Sequence, residues 1–284
     1  MAKKSSLKIA GIVTLYNPTD EDISNIKTYL RDIDRLYIVD NTEGKSNEKR
    51  IPKSNKIEYI FKNENVGVAT AMNMGARKAI KEGYKWLLTM DQDTTFKPGV
   101  MKKLKEVITK EDMSKVGIVV PWQETKMRLK RVKDEYDYPQ TIMTSGNIVN
   151  LDVWEEVGGY KDWLFIDGVD LDYSLNIRKH GYIILRVNSV EIDHELGDIV
   201  YRKFKKLDVA VSNHSPMRRY YITRNNEYIC DMYKNFDPNI CWNLIKKKDT
   251  ALIILLYEKH KIKKIISMIK GYIDYKKGIK GKKI

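Results

Sequence analysis

Cysteine is nearly absent. Of 284 residues only Cys230 and Cys241 are cysteine, and two thiols make no disulfide framework. Both fall in stretches of helical pattern, which suits a reducing compartment. Histidine is scarce too: His180, His194, His214 and His260 have no cysteine at ligand spacing, so the common zinc motifs are excluded. Long apolar runs are missing. Residues 9–15 follow the basic MAKKSS and lead into Tyr16-Asn17-Pro18, which reads as a first strand rather than a secretion signal. The longest later run, residues 251–257, is far too short to span a bilayer. GxGxxG and GxxxxGK[ST] are both absent, which excludes the two commonest phosphate-cradling loops. A cytoplasmic protein is expected, at most peripheral on the inner face of a membrane.

What is present is a hydrophobic content of 42%, enough for a core and too much for disorder. Eighteen tyrosines and five tryptophans are many for this length, and most should pack with their polar tips satisfied. The net charge of +14 is uneven. Residues 246–284 hold 13 lysines against three acids, a net +10, leaving only +4 for the rest. A nearly neutral main body argues against nucleic-acid binding.

The first half alternates strand and helix. Strands are expected at 8–16, 35–41, 56–62, 85–90 and 115–121, with helices from Asp20 to about Arg31, over 66–83, and after Pro98. This order predicts an α/β fold with a mostly parallel central sheet and helices on both faces. Ligands bind such sheets beyond the carboxyl ends of the strands, where Asn17, Asp40-Asn41, Asn65 and Asp91-Asp93 fall. The second half reads as strand, short helix and Gly-Gly turn over 141–160, a helix over 171–181, strands over 182–195, and helices from His214 onward. The division expected is 1–235 for the main domain and 236–284 for a basic amphipathic tail. In that tail Ile262, Ile265, Ile266, Ile269 and Ile273 share one face. Such a face can lie on an anionic leaflet, or pack on another helix or in a homodimer.

Four stretches can carry chemistry. MDQD puts Asp91 and Asp93 at a strand end, where two carboxylates at i and i+2 suit Mg²⁺ or Mn²⁺, or simply form an acidic turn. IDGVDLDYSLNIR clusters Asp167, Asp170 and Asp172 before a helix, as an acidic cap or as the setting of a general base. ENVGVATAMNMGA offers Asn65, Gly67 and Asn73 at a helix start able to approach a phosphate. HSPMRRYYITRNN offers Arg218, Tyr221 and Arg224 to an anionic group.

VTLYNP, VDN, NVGVATAMNMG, MDQD, TSGNIV, GGYKDWLFIDGVDLDYSLNIR, His194 and HSPMRRYYITRN, in this order, resemble the family-2 glycosyltransferases of GT-A fold. The subgroup most similar is the bacterial rhamnosyltransferases of polysaccharide and O-antigen assembly, and the similarity runs over residues 8 to about 226. The resemblance implies donor contacts at Tyr16, Asn17, Asp40, Asn65, Gly67, Asn73, Asp91, Arg218, Tyr221 and Arg224. It implies a metal, Mn²⁺ or Mg²⁺, at Asp91, Asp93 and His194. Asp170 aligns with the catalytic base; the family's usual Glu before it is Val169 here, which keeps Asp167 and Asp172 as alternatives. Ser145 and Gly146 fall in the TSGNIV segment on the acceptor side. The implied reaction is inverting transfer from a nucleoside-diphosphate sugar, dTDP-L-rhamnose or a UDP-sugar, to a glycan or lipid-linked acceptor. A non-catalytic nucleotide- or glycan-binding protein is the rival reading.

Overall fold

The computed structural model describes residues 7–124, 131–194, 200–204, 207–244 and 247–283. Its strands are β1 (Ala10–Leu15), β2 (Arg35–Asp40), β3 (Ile57–Phe61), β4 (Trp86–Asp91), β5 (Thr94–Phe96), β6 (Val116–Glu124), β7 (Tyr136–Asp137), β8 (Asn147–Asn150), β9 (Ile183–His194), β10 (Val200–Phe204) and β11 (Leu207–Val211). Its helices are α1 (Asp20–Asn25), α2 (Lys27–Leu30), α3 (Val68–Lys81), α4 (Val100–Lys110), α5 (Leu151–Glu156), α6 (Val169–Lys179), α7 (Pro216–Tyr233), α8 (Pro238–Leu244), α9 (Lys247–Tyr257) and α10 (Lys261–Lys276).

The central sheet runs β3-β2-β1-β4-β8-β6-β9-β5, with β7 paired to β9. The first four of these strands are parallel; β1, β2 and β4 are largely buried, as near-continuous apolar runs covered on both faces are, while the edge strand β3 is half-buried throughout. β8 then enters antiparallel between β4 and β6, and β5 lies antiparallel on β9. The sheet is therefore mixed, although most of its strands share one direction. One core, around Ile12, Met72, Val149 and Tyr173, packs α3, α5, α6 and α7 on one face. A second, around Val13, Tyr29, Leu88 and Leu104, packs α1, α2 and α4 on the other. α1 starts on a capping box, Thr19 accepting from Asp22 N and Asp22 from Thr19 N. The single helix expected from Asp20 breaks at Ile26 into α1 and α2.

The segment after 235 is no free tail. α10 lies along α7 with Lys264, Met268, Gly271 and Asp274 inward. A Cβ at Gly271 would stand 2.5 Å from the Tyr220 carbonyl oxygen, so only glycine lets the two helices approach this closely. The isoleucine face does not make this contact: Ile262, Ile266, Ile269 and Ile273 stay exposed on the opposite side.

Candidate functional site

The carboxyl end of β4 carries Asp91, and Gln92-Asp93 turn the chain into β5. Gln92 fixes this turn. Its Oε1 accepts from Tyr16 N (2.8 Å), its Nε2 donates to Asp22 (3.2 Å), and its carbonyl accepts from Asn25 Nδ2 (3.0 Å). Sequence reading passed over Gln92; the one available signal was its place between two acids. Ser145 braces the other side, with its Oγ accepting from Asp91 N (2.9 Å) and donating to Thr94 Oγ1 (2.7 Å). Ser145 is wholly buried, so the expectation that it faces an acceptor gives way to one of holding the turn. Gly146 adds no side chain, and a Cβ there would meet Ile192 Cδ1 at 2.2 Å. The β5–β9 register sets His194 opposite Thr94, beside Asp93. The His194 imidazole lies outside the described residues, as does any metal contact it would make.

The second acidic stretch precedes and opens α6. Phe165 and Asp167 both hold left-handed φ values, 64° and 62°, unusual for non-glycine residues and costing on the order of 1–3 kcal/mol each. Asn225 on α7 holds them there, its Nδ2 donating to the carbonyls of Leu164 (2.9 Å), Ile166 (2.8 Å) and Asp167 (2.8 Å). The three acids then part company. Asp172 is fully buried and takes Lys161 Nζ (3.0 Å) and Tyr233 Oη (3.0 Å). Asp167 is paired with Arg218, whose Nε lies 3.1 Å from Oδ1. Asp170, half-buried, accepts from Leu171 N (2.8 Å) and from its own N–H, and has no side-chain partner among the described residues. Burial pushes the Asp170 carboxyl up, Asp167 adds to this, and the Leu171 N–H and Arg218 act against it; the net shift is upward.

Arg218 joins the two acidic stretches. Burial alone would lower its pKa, but bonded Asp167 and the charges of Asp170 and Asp91 hold it above the ordinary value. One guanidinium thus feels carboxylates from the β4 turn and from α6, far apart in sequence. Among the described residues no group of three His, Cys, Asp or Glu is placed to hold a metal.

Several expected donor contacts prove to be internal braces. Burial pushes the Asp40 carboxyl up, yet bonds from Tyr59 (2.5 Å), Thr42 and Asn47 outweigh it and keep it low. At 1% exposure Asp40 shapes the 41–47 loop and presents nothing outward. Asn73 spends its amide on Tyr160 N (3.0 Å), Tyr160 O (2.7 Å) and Asp162 (2.6 Å). The start of α3 is already occupied: Val66 N donates to Asn41, Gly67 N to Asn65, and Val68 N to the Phe165 carbonyl. Gly67 is glycine because a Cβ would stand 2.5 Å from the Phe165 ring. Those N–H groups are not open to a phosphate. Tyr16 and Asn17, at the end of β1, do remain exposed.

Tyr221 and Arg224 are not open to a ligand either; they are 2% and 0% exposed. Arg224 donates to the carbonyls of Trp163 (3.3 Å) and Gly281 (2.6 Å), and Tyr221 Oη accepts from Lys283 N (2.8 Å). Gly281 N in turn donates to Trp163 O (2.8 Å). Residues 281–283 thereby lie on the strained 163–168 loop, and Lys282 reaches Glu43 (3.0 Å) beside the 41–47 loop. Nothing in the sequence near residue 281 signals this.

The profile of glycosyl transferase family 2 matches residues 22–162. The chain is 27% identical to the dTDP-rhamnosyl transferase RfbF of Shigella flexneri, over 96% of this chain and 97% of that protein. Among solved structures it resembles TarS (residues 1–349) of S. aureus in complex with UDP-GlcNAc, at a TM-score of 0.55 and 10% identity over 95% of this chain and 92% of that one. It also resembles GalNAc-T7 with UDP, GalNAc and Mn²⁺, at a TM-score of 0.56 and 12% identity. That match covers 88% of this chain and 58% of the longer GalNAc-T7 chain. These likenesses establish a GT-A-like fold.

Proposed function

This chain belongs to glycosyl transferase family 2, and from that premise we propose that it moves L-rhamnose from dTDP-L-rhamnose to a glycan acceptor, with inversion. The observation that carries the site assignment is that Arg218 binds Asp167 and lies within electrostatic reach of Asp170 and Asp91. The full-length similarity to a dTDP-rhamnosyl transferase supports the donor. The acceptor proposed is lipid-linked.

Asp170 takes the proton from the acceptor hydroxyl. The freed oxygen attacks the anomeric carbon from the face opposite the diphosphate. The new C–O bond forms as the bond to the phosphate oxygen breaks, and the nucleoside diphosphate leaves with that electron pair. Arg218 shares the charge growing on the leaving group. Its hold on Asp167 keeps the second carboxylate from competing for the proton. Asp91 and Asp93 fit a divalent cation chemically: two oxygen donors on a braced turn leave most of the shell to water and phosphate, as Mg²⁺ and Mn²⁺ favour. When bound, such a cation would neutralise diphosphate charge. Tyr16, exposed beside this turn, is the ring proposed to cover the nucleotide base.

Thermal unfolding tests the donor. With Mn²⁺ present, dTDP-L-rhamnose at a hundredfold over Kd should stabilise the protein by about 2.7 kcal/mol. UDP-GlcNAc should give little, and EDTA should remove most of the shift. A larger shift with the UDP-sugar would reassign the donor.

The pH profile tests Arg218. Its positive charge lowers the Asp170 pKa, so Arg218→Ala should move the acidic limb of kcat to higher pH as Asp170 holds its proton longer. Releasing Asp167 acts in the same direction. A reduced kcat with the limb unmoved would mean that Arg218 serves the leaving group alone.

A further inference from the structure

We propose that α9 and α10 together form a docking face for an anionic lipid surface. No helix among the described residues is long and apolar enough to cross a membrane, so the contact is peripheral. On α10 the outward stripe is Ile262, Ile266, Ile269 and Ile273, between 42% and 75% exposed. Leu252, Leu255 and Leu256 of α9 are exposed as well, at 46–50%. Between the helices an apolar groove of about 310 Å³, lined by Ala251, Ile265, Met268, Ile269 and Tyr272 with Thr223 of α7, opens beside that stripe. Large aliphatic side chains left exposed along two helices that touch each other mark a contact surface.

The charges decide what covers the patch. Glu258 and Asp274 are both turned inward, at 3% and 7% exposure. Glu258 is consumed by Arg219 and Lys264, and Asp274 by Tyr220 and Lys283. Lys259, Lys261, Lys263 and Lys270 by contrast are exposed around the aliphatic stripe. Aliphatic side chains rimmed by lysines, with Glu258 and Asp274 withdrawn, match an acyl surface beneath anionic headgroups. A second copy fits poorly, because a two-fold pairing of this face would set lysines against lysines. The assignment stands on these two helices and does not depend on which sugar is moved.

Flotation of the full chain with vesicles tests it. At physiological salt the protein should float with phosphatidylglycerol–phosphatidylcholine vesicles and stay behind with pure phosphatidylcholine. The double variant Ile266→Asn/Ile269→Asn should bind the anionic vesicles about tenfold more weakly, and Lys261→Glu/Lys263→Glu/Lys270→Glu at least about a hundredfold more weakly. All these positions are exposed, and an unchanged Tm verifies that the variants fold. Absence of flotation by the parent chain, or equal flotation by both variants, overturns the proposal. So does a dimer seen by light scattering that the isoleucine variant abolishes, with no vesicle binding; that result assigns the face to a second copy.

Discussion

Asp170→Asn is expected to lower kcat by about 10²–10⁴-fold while leaving donor binding intact. The reasoning is by partners. Of the three acids around the start of α6, Asp172 is locked between Lys161 and Tyr233, and Asp167 is held by Arg218. Among the described residues only Asp170 of these three takes its hydrogen bonds from backbone N–H groups alone, so no side chain occupies the carboxylate that is to receive a proton. Its raised pKa makes it a stronger base than an ordinary carboxylate. Asparagine keeps the shape and the bond from Leu171 N but takes no proton. Two readouts separate the roles: product formation, and stabilisation by the donor. If turnover survives while Asp167→Asn abolishes it, the base is Asp167 and Arg218 is its modulator.

Glu258→Ala should be the most destabilising single change predicted here, by about 3–5 kcal/mol, with a fall in Tm on the order of 10 °C. Glu258 is sealed between two cations, Arg219 (2.5 Å) and Lys264 (2.8 Å), which are 7% and 2% exposed. Asn213 and Ser212 give the cations one further bond each, so removing the carboxylate strands two positive charges away from water. His214 beside them already responds: burial, then Arg218 and Arg219, press its pKa down to about 4. Replacing all three charges with apolar residues of similar size should recover most of the loss, because the cost lies in the unpaired charge. A Tm unmoved by Glu258→Ala would mean that water reaches the cluster.

The strands of the parallel half were legible because each is a short apolar run closed by a polar residue, as in Ile38-Val39-Asp40 and Leu88-Thr89-Met90-Asp91. The direction of β8 was not. Asn147–Asn150 has the composition of any buried strand, and only its pairing with β4 and β6 fixes its sense. Site residues divide on the same ground. Asp91, Asp93 and Asp170 stood out by spacing and by position at element ends. Asn73, Ser145, Tyr221 and Arg224 were singled out too, but a polar side chain has the same letter whether it faces a cleft or a carbonyl. Their partners, Tyr160, Thr94, Lys283 and Gly281, lie as many as 87 residues away in the chain. The choice among Asp167, Asp170 and Asp172 was equally closed to sequence, since Arg218 and Tyr233 come from another helix.

The bond between Gly281 and Trp163 has a practical side. Whatever is joined after residue 283 begins next to the loop that leads into Asp167 and Asp170. A purification handle fused there, or a support gripping it, would tug on the proposed reactive loop and be mistaken for low intrinsic activity. β1 starts at the end of the sheet opposite the carboxyl strand ends, so Ala10 lies away from the proposed site. Placement of the handle therefore belongs among the controls of any rate measured on this enzyme.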